Sequence, residues 1–184
     1  PEIDTGLHLL LCLDRVTGLT NDDRVRFAIL VHDLGKGITP AAQLPSHPGH
    51  EEAGVPLVES LCERTRVPNS WRRLAVKVSR WHLHAHRAAE LRAATLEKLF
   101  SGLDLWRRPE ELEPFILACQ ADARGRPGRE NCDYPAVRLF PALLEAAQQV
   151  QPGQLVKAGM AGDEIAELVR QARIKAIASR REQL

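Results

Sequence analysis

Apolar side chains recur at three- and four-residue spacing almost from end to end of this chain, and no apolar–polar alternation runs long enough to make a strand. Val, Ile and Thr are thinly spread, and aromatic residues make up only 4% of the sequence, so the side chains that favour pleated surfaces are scarce. The pattern predicts helices over about residues 5–16, 22–34, 51–64, 68–81, 95–100, 109–123, 136–150 and 163–181, with Asn21 or Asp22 available to cap the second. Gly and Pro mark residues 35–48 as a loop, and 124–135 reads as another. No internal repeat or low-complexity segment interrupts this plan. The fold class is all-α, and 184 residues suffice for one domain with a small helical appendix.

A net charge of +1 argues against a polyanion binder steered by its overall field. Charge is nevertheless uneven. Arg124, Arg126 and Arg129 share one loop, and Arg170, Arg173, Lys175, Arg180 and Arg181 crowd the C-terminal end, either as solvated surface or as local anion contacts. Four scattered cysteines without a C-x-x-C pair read as reduced thiols, which implies a cytoplasmic protein. No window approaches the ~18–20 apolar residues of a membrane span, and no signal peptide stands at the front. The sequence opens on Pro1, not Met, and is expected to be a fragment of a larger protein.

The chemistry lies in histidines beside carboxylates. His32-Asp33 falls in an otherwise apolar stretch, where burying both is costly unless something pairs with them. The turn between the first two helices is centred near residue 20, so an antiparallel pair brings His8 level with His32. Imidazoles with a carboxylate suit a first-row divalent ion and leave positions open to water. Asp122 closes an apolar helix at the end where the dipole disfavours it, which favours a ligand role. His50 opens the third helix. His82 and His86 share a helical face while His84 points away; that spacing suggests zinc, but the helix is expected to fray there.

Taken together, His8, His32-Asp33-Leu34-Gly35-Lys36 and a distant Asp122 resemble the HD superfamily of metal-dependent phosphohydrolases. Residues Pro1 to His8, His32 to Gly37, His50-Glu51-Glu52-Ala53-Gly54 and Asp122 to Arg126 resemble, more narrowly, the C-terminal half of bacterial multifunctional CCA-adding enzymes. That resemblance implies an HD helical bundle over residues 1–128 and a helical tail over 129–184. It also implies 2′,3′-cyclic phosphodiesterase, 2′-nucleotidase and phosphatase activity on a tRNA 3′ end or on 2′,3′-cyclic nucleotides.

On this reading His8, His32, Asp33 and Asp122 hold a divalent ion (Mg²⁺, Ni²⁺ or Mn²⁺), with Asp33, Lys36, His50 and His82 acting in catalysis. His50 and His82 stand where a second ion would take its histidines, or they bind substrate phosphate directly; a single ion is favoured. Arg124, Arg126, Arg170, Arg173 and Lys175 are the candidate phosphate or RNA contacts. The family's nucleotidyltransferase head, which uses ATP and CTP, has no counterpart here: neither a D-x-D pair nor a G-x-x-x-x-G-K-[ST] loop occurs. The competing expectations are a non-catalytic tRNA-binding module and an HD nucleotidase acting on free nucleotides. Either a monomer or a homodimer fits the sequence.

Overall fold

The computed structural model describes residues 4–156 and 159–184. Among them there is no strand, in keeping with the missing alternation. The helices are α1 (Thr5–Leu19), α2 (Asp23–Val31), α3 (His50–Arg64), α4 (Asn69–His86), α5 (Ala93–Gly102), α6 (Leu112–Arg124), α7 (Ala136–Gln148), α8 (Pro152–Leu155) and α9 (Gly162–Arg181). Asp4 caps α1 by accepting from the amides of Gly6 and Leu7, and Asp22, not Asn21, caps α2 through the Arg24 amide.

Two compact units result. The first comprises the residues up to His86 together with Glu113–Tyr134. Here α2 packs on α1 and α4, and α3 packs on α4, around buried Cys12, Val16, Ile29, Val58, Leu74, Val78 and Phe115. The second comprises Arg87–Leu112 together with the chain from Pro135 onward, with α9 packed on α5 and α7 and with Phe100 edge-on to Phe140. Within it the Arg181 guanidinium donates to the carbonyls of Leu91 and Ala89. This partition differs from a boundary at residue 128, because α5 finds its apolar partners in the C-terminal helices.

Of the helix ends that depart from expectation, two shape the site. The second helix stops at Val31 and not at Leu34, so His32 caps it and Asp33 leads into a 3-10 turn over Leu34–Ile38. The turn packs against α3 so closely that a Cβ on Gly35 would lie 2.0 Å from the His50 carbonyl oxygen and 2.7 Å from the Gly54 nitrogen. The fourth helix does not fray near Trp81. It runs on to His86, because the buried stripe Leu74, Ala75, Val78, Trp81, His82 and Ala85 continues without a break.

Candidate metal centre

Five elements of the first unit converge. The start of α1 supplies His8, the end of α2 supplies His32 and then Asp33, the first turn of α3 supplies His50, and α4 supplies His82. Near its C-terminus α6 adds Asp122. His8 Nε2 lies 3.0 Å from Asp122 Oδ1 and 3.9 Å from Asp33 Oδ2. His32 Nε2 is 3.2 Å from Asp33 Oδ2 and 3.7 Å from Asp122 Oδ1. On the far oxygen of Asp33, Oδ1, stand His50 Nε2 at 3.2 Å and His82 Nε2 at 3.7 Å. The helical-hairpin arithmetic thus brings His8 and His32 to one level, and α6 closes the group from a distant part of the chain.

The opposite nitrogens explain what the cluster needs. Nδ1 of His8 donates to the Gly125 carbonyl at 3.1 Å, that of His32 to Ile29 at 2.7 Å, that of His50 to His47 at 2.7 Å, and that of His82 to Ser79 at 2.9 Å. A neutral imidazole with its proton on Nδ1 presents a lone pair at Nε2. Four such Nε2 atoms therefore face two carboxylates, an arrangement that calls for positive charge between them, an ion or, in its place, a proton on His32. Burial works to lower the pKa of His32, yet the Asp122 and Asp33 carboxylates overcome it and raise it to about 10. Burial likewise opposes ionisation of Asp33 and Asp122, but the surrounding imidazoles hold both well below the usual carboxylate range. His82 goes the other way, pushed down by burial to about 4.

A divalent ion fits these residues. His32 Nε2 and Asp33 Oδ1 are buried and make no hydrogen bond, although such groups are costly to leave unsatisfied. His8, His32 and Asp33 bring one donor atom each within 4.8 Å of one another, and so do Asp33, His50 and His82. Nitrogen with oxygen donors suits first-row divalent metals. Cys12 is also close, but its Sγ stands 3.5 and 3.6 Å from the two ring nitrogens of His8. It therefore lies over the ring face of His8, although His8, Cys12 and Asp122 also bring one donor atom each within 4.8 Å of one another.

The family model of the HD domain matches residues 6–124 of this chain. The chain belongs to the HD domain family. With that membership comes a metal-dependent hydrolase. Over 97% of its length the chain is 52% identical to a "Multifunctional CCA protein" of Halorhodospira halophila and 54% identical to one of Alkalilimnicola ehrlichii; it is 51% identical over 96% to one of Nitrosococcus oceani. It spans less than half the length of these curated relatives, covering 43% of the first two and 44% of the third. No solved structure gives a match. Of the segments that carried the resemblance, Pro1, Glu2 and Ile3 lie outside the described residues.

The HD domain opens to solvent through a pocket of about 520 Å³ lined by Asp33, Lys36, His47, His50, His82 and Arg126 among others. The Lys36 ammonium stands 2.6 Å from Asp33 Oδ2, and Arg126 Nη1 stands 3.7 Å from Asp122 Oδ1. Arg124 does not join them. Its guanidinium donates twice to the Cys132 carbonyl at 3.2 Å and holds the loop after α6. In the second unit Arg170 is paired with Glu167 at 2.7 Å, Arg173 stacks 3.9 Å over the Trp106 ring, and Lys175 is exposed. Sequence reasoning missed Tyr134; it placed His86 on one face with His82 but set a zinc site there aside because the helix was expected to fray. The structure parts those histidines: His82 Nε2 turns to Asp33, whereas His86 Nε2 lies 2.6 Å from Asp122 Oδ2. No local pattern marks Tyr134, which reaches His86 from the loop before α7.

Proposed function

We propose that this HD domain is a divalent-metal phosphohydrolase that cleaves phosphate esters at ribose 2′ and 3′ positions, 2′,3′-cyclic phosphates included. We further propose that it forms the hydrolytic part of an enzyme acting on tRNA 3′ ends in the cytoplasm. The observation that carries this reading is the set of four histidine Nε2 atoms turned on the buried Asp122 and half-buried Asp33 carboxylates at the floor of an open pocket. His8, His32, Asp33 and Asp122 would hold the ion. When bound, it supplies Lewis acidity toward a phosphoryl oxygen and lowers the pKa of the attacking water. Lys36 and Arg126 bring positive charge to the pocket for the phosphate. Asp33 opposes the lowering of the His50 pKa by burial and holds it up, so Nε2 of His50 can carry a proton toward a departing ribose oxygen. With His82 beside it at 3.3 Å, His50 alternatively holds a phosphate oxygen or a second ion.

Likeness to multifunctional CCA proteins supports the tRNA end as substrate. CCA addition with ATP and CTP is assigned to the remainder of such proteins, since these residues contain neither of the nucleotide-handling motifs. The test is ion uptake by the chain, then turnover of 2′,3′-cyclic AMP with Ni²⁺, Mn²⁺ or Mg²⁺. Turnover by the wild type and its loss in Asp33→Ala is expected. Ion uptake without turnover would leave a non-catalytic RNA-binding module, and turnover of free nucleotides with none at a tRNA end would leave a nucleotidase.

A further inference from the structure

Asp122 divides its two oxygens. Oδ1 faces His8 at 3.0 Å and His32 at 3.7 Å. Oδ2 faces His86 Nε2 at 2.6 Å, and on the other side of that ring Nδ1 lies 3.1 Å from the Tyr134 hydroxyl. His86 differs in this from the four histidines of the centre. Each of those gives Nδ1–H to a backbone carbonyl, an acceptor only, and so keeps its lone pair at Nε2. A phenol can donate. If Tyr134 gives its O–H to Nδ1, the ring proton sits on Nε2 and is donated to Asp122 Oδ2, whereas the reverse tautomer would set a lone pair 2.6 Å from a carboxylate.

We propose that His86, oriented by Tyr134, is a positioning residue that pins Oδ2 of Asp122 and leaves only Oδ1 for the ion. This rests on the metal-centre reading and deepens it. Partners that orient a ligand typically cost roughly 10–100-fold in metal affinity or activity when removed. His86 is half-buried and Tyr134 is buried, so the pair is built into the first unit and is not swept in by substrate.

The experiment is calorimetric affinity for Mn²⁺, together with the visible spectrum of the Co²⁺-loaded 184-residue chain, for wild type, His86→Ala, His86→Gln and Tyr134→Phe. His86→Ala is expected to weaken Mn²⁺ binding by about 10-fold or more. His86→Gln, whose amide N–H can still donate to Oδ2, recovers most of that loss and keeps the Co²⁺ spectrum of the wild type. Tyr134→Phe weakens binding by a smaller factor, and adding it to His86→Ala costs nothing further. Should His86→Ala fail to fold, the Gln and Phe variants carry the test. A His86→Ala chain that binds Mn²⁺ like the wild type would overturn the proposal. So would a Co²⁺ spectrum altered in His86→Gln, which would make His86 a ligand. A wild type that takes up no ion would overturn the metal-centre reading itself, and this inference with it.

Discussion

At the scale of single residues the centre is a problem in proton bookkeeping. In the ion-free protein His82 is pushed by burial from its ordinary 6.5 to about 4, so between those pH values the unfolded chain binds a proton that the folded chain refuses. Stability must therefore fall as pH drops through that window. Asp33 and Asp122, held well below the carboxylate range, extend the loss to lower pH. His32, raised to about 10, works in the opposite window: above 6.5 the folded form keeps a proton that the unfolded chain has released, and stability falls as pH rises toward 10. The denaturation midpoint of metal-stripped protein is expected to peak near pH 6.5. A midpoint constant between about pH 5 and 9 would contradict that account. The sequence made His8, His32 and Asp33 legible because a short turn fixes the register of two helices. Tyr134 was illegible because an irregular loop brings it, and nothing in the sequence around it has a period.

Among elements, the contact that matters is the backbone approach of the 3-10 turn to α3. A methyl on Gly35 would meet backbone atoms of His50 and Gly54, which cannot swing aside. Gly35→Ala is expected to cost about 3 kcal/mol or more in chemical denaturation and to disturb Asp33 and His50 together. Gly18 is the contrast. It lies inside α1, and a methyl added there would meet nothing within 4 Å, so Gly18→Ala should raise stability by roughly 0.5 kcal/mol. Loss of stability in Gly18→Ala comparable to that in Gly35→Ala would refute the packing argument. The same approach explains the misjudged end of α2. Apolar spacing continued through Leu34, but the chain must leave the helix at His32 for Gly35 to reach α3. In α4 the histidines looked like a polar, fraying end, whereas His82 is buried and carries the stripe on to Ala85.

For the whole molecule, the basic C-terminal helix separates into structural and available charge. Arg173→Ala should lower stability by about 0.5–1 kcal/mol through loss of its stack on Trp106, even with no RNA present. For the proposed tRNA contact, the salt dependence of binding should instead respond to exposed Lys175 and to Arg170 once phosphate displaces its Glu167 partner. Replacing both with Ala is expected to flatten the log–log slope by about one to two, and an unchanged slope would leave α9 as plain surface. The helical class was legible end to end, but the partition was not, since the contacts that join α5 to α9 span a long stretch of sequence. That partition sets an order of events on the ribosome. His8, His32, Asp33, His50 and His82 all emerge before the Arg87–Leu112 segment, and Asp122 and Tyr134 only after it. The nascent first unit thus carries a half-built anionic centre until its last helix is made. On the proposed metal centre, a translational stall in the intervening segment would expose an incomplete chelator, and a ribosome-bound chain halted there should capture Mn²⁺ far more weakly than one halted beyond Tyr134.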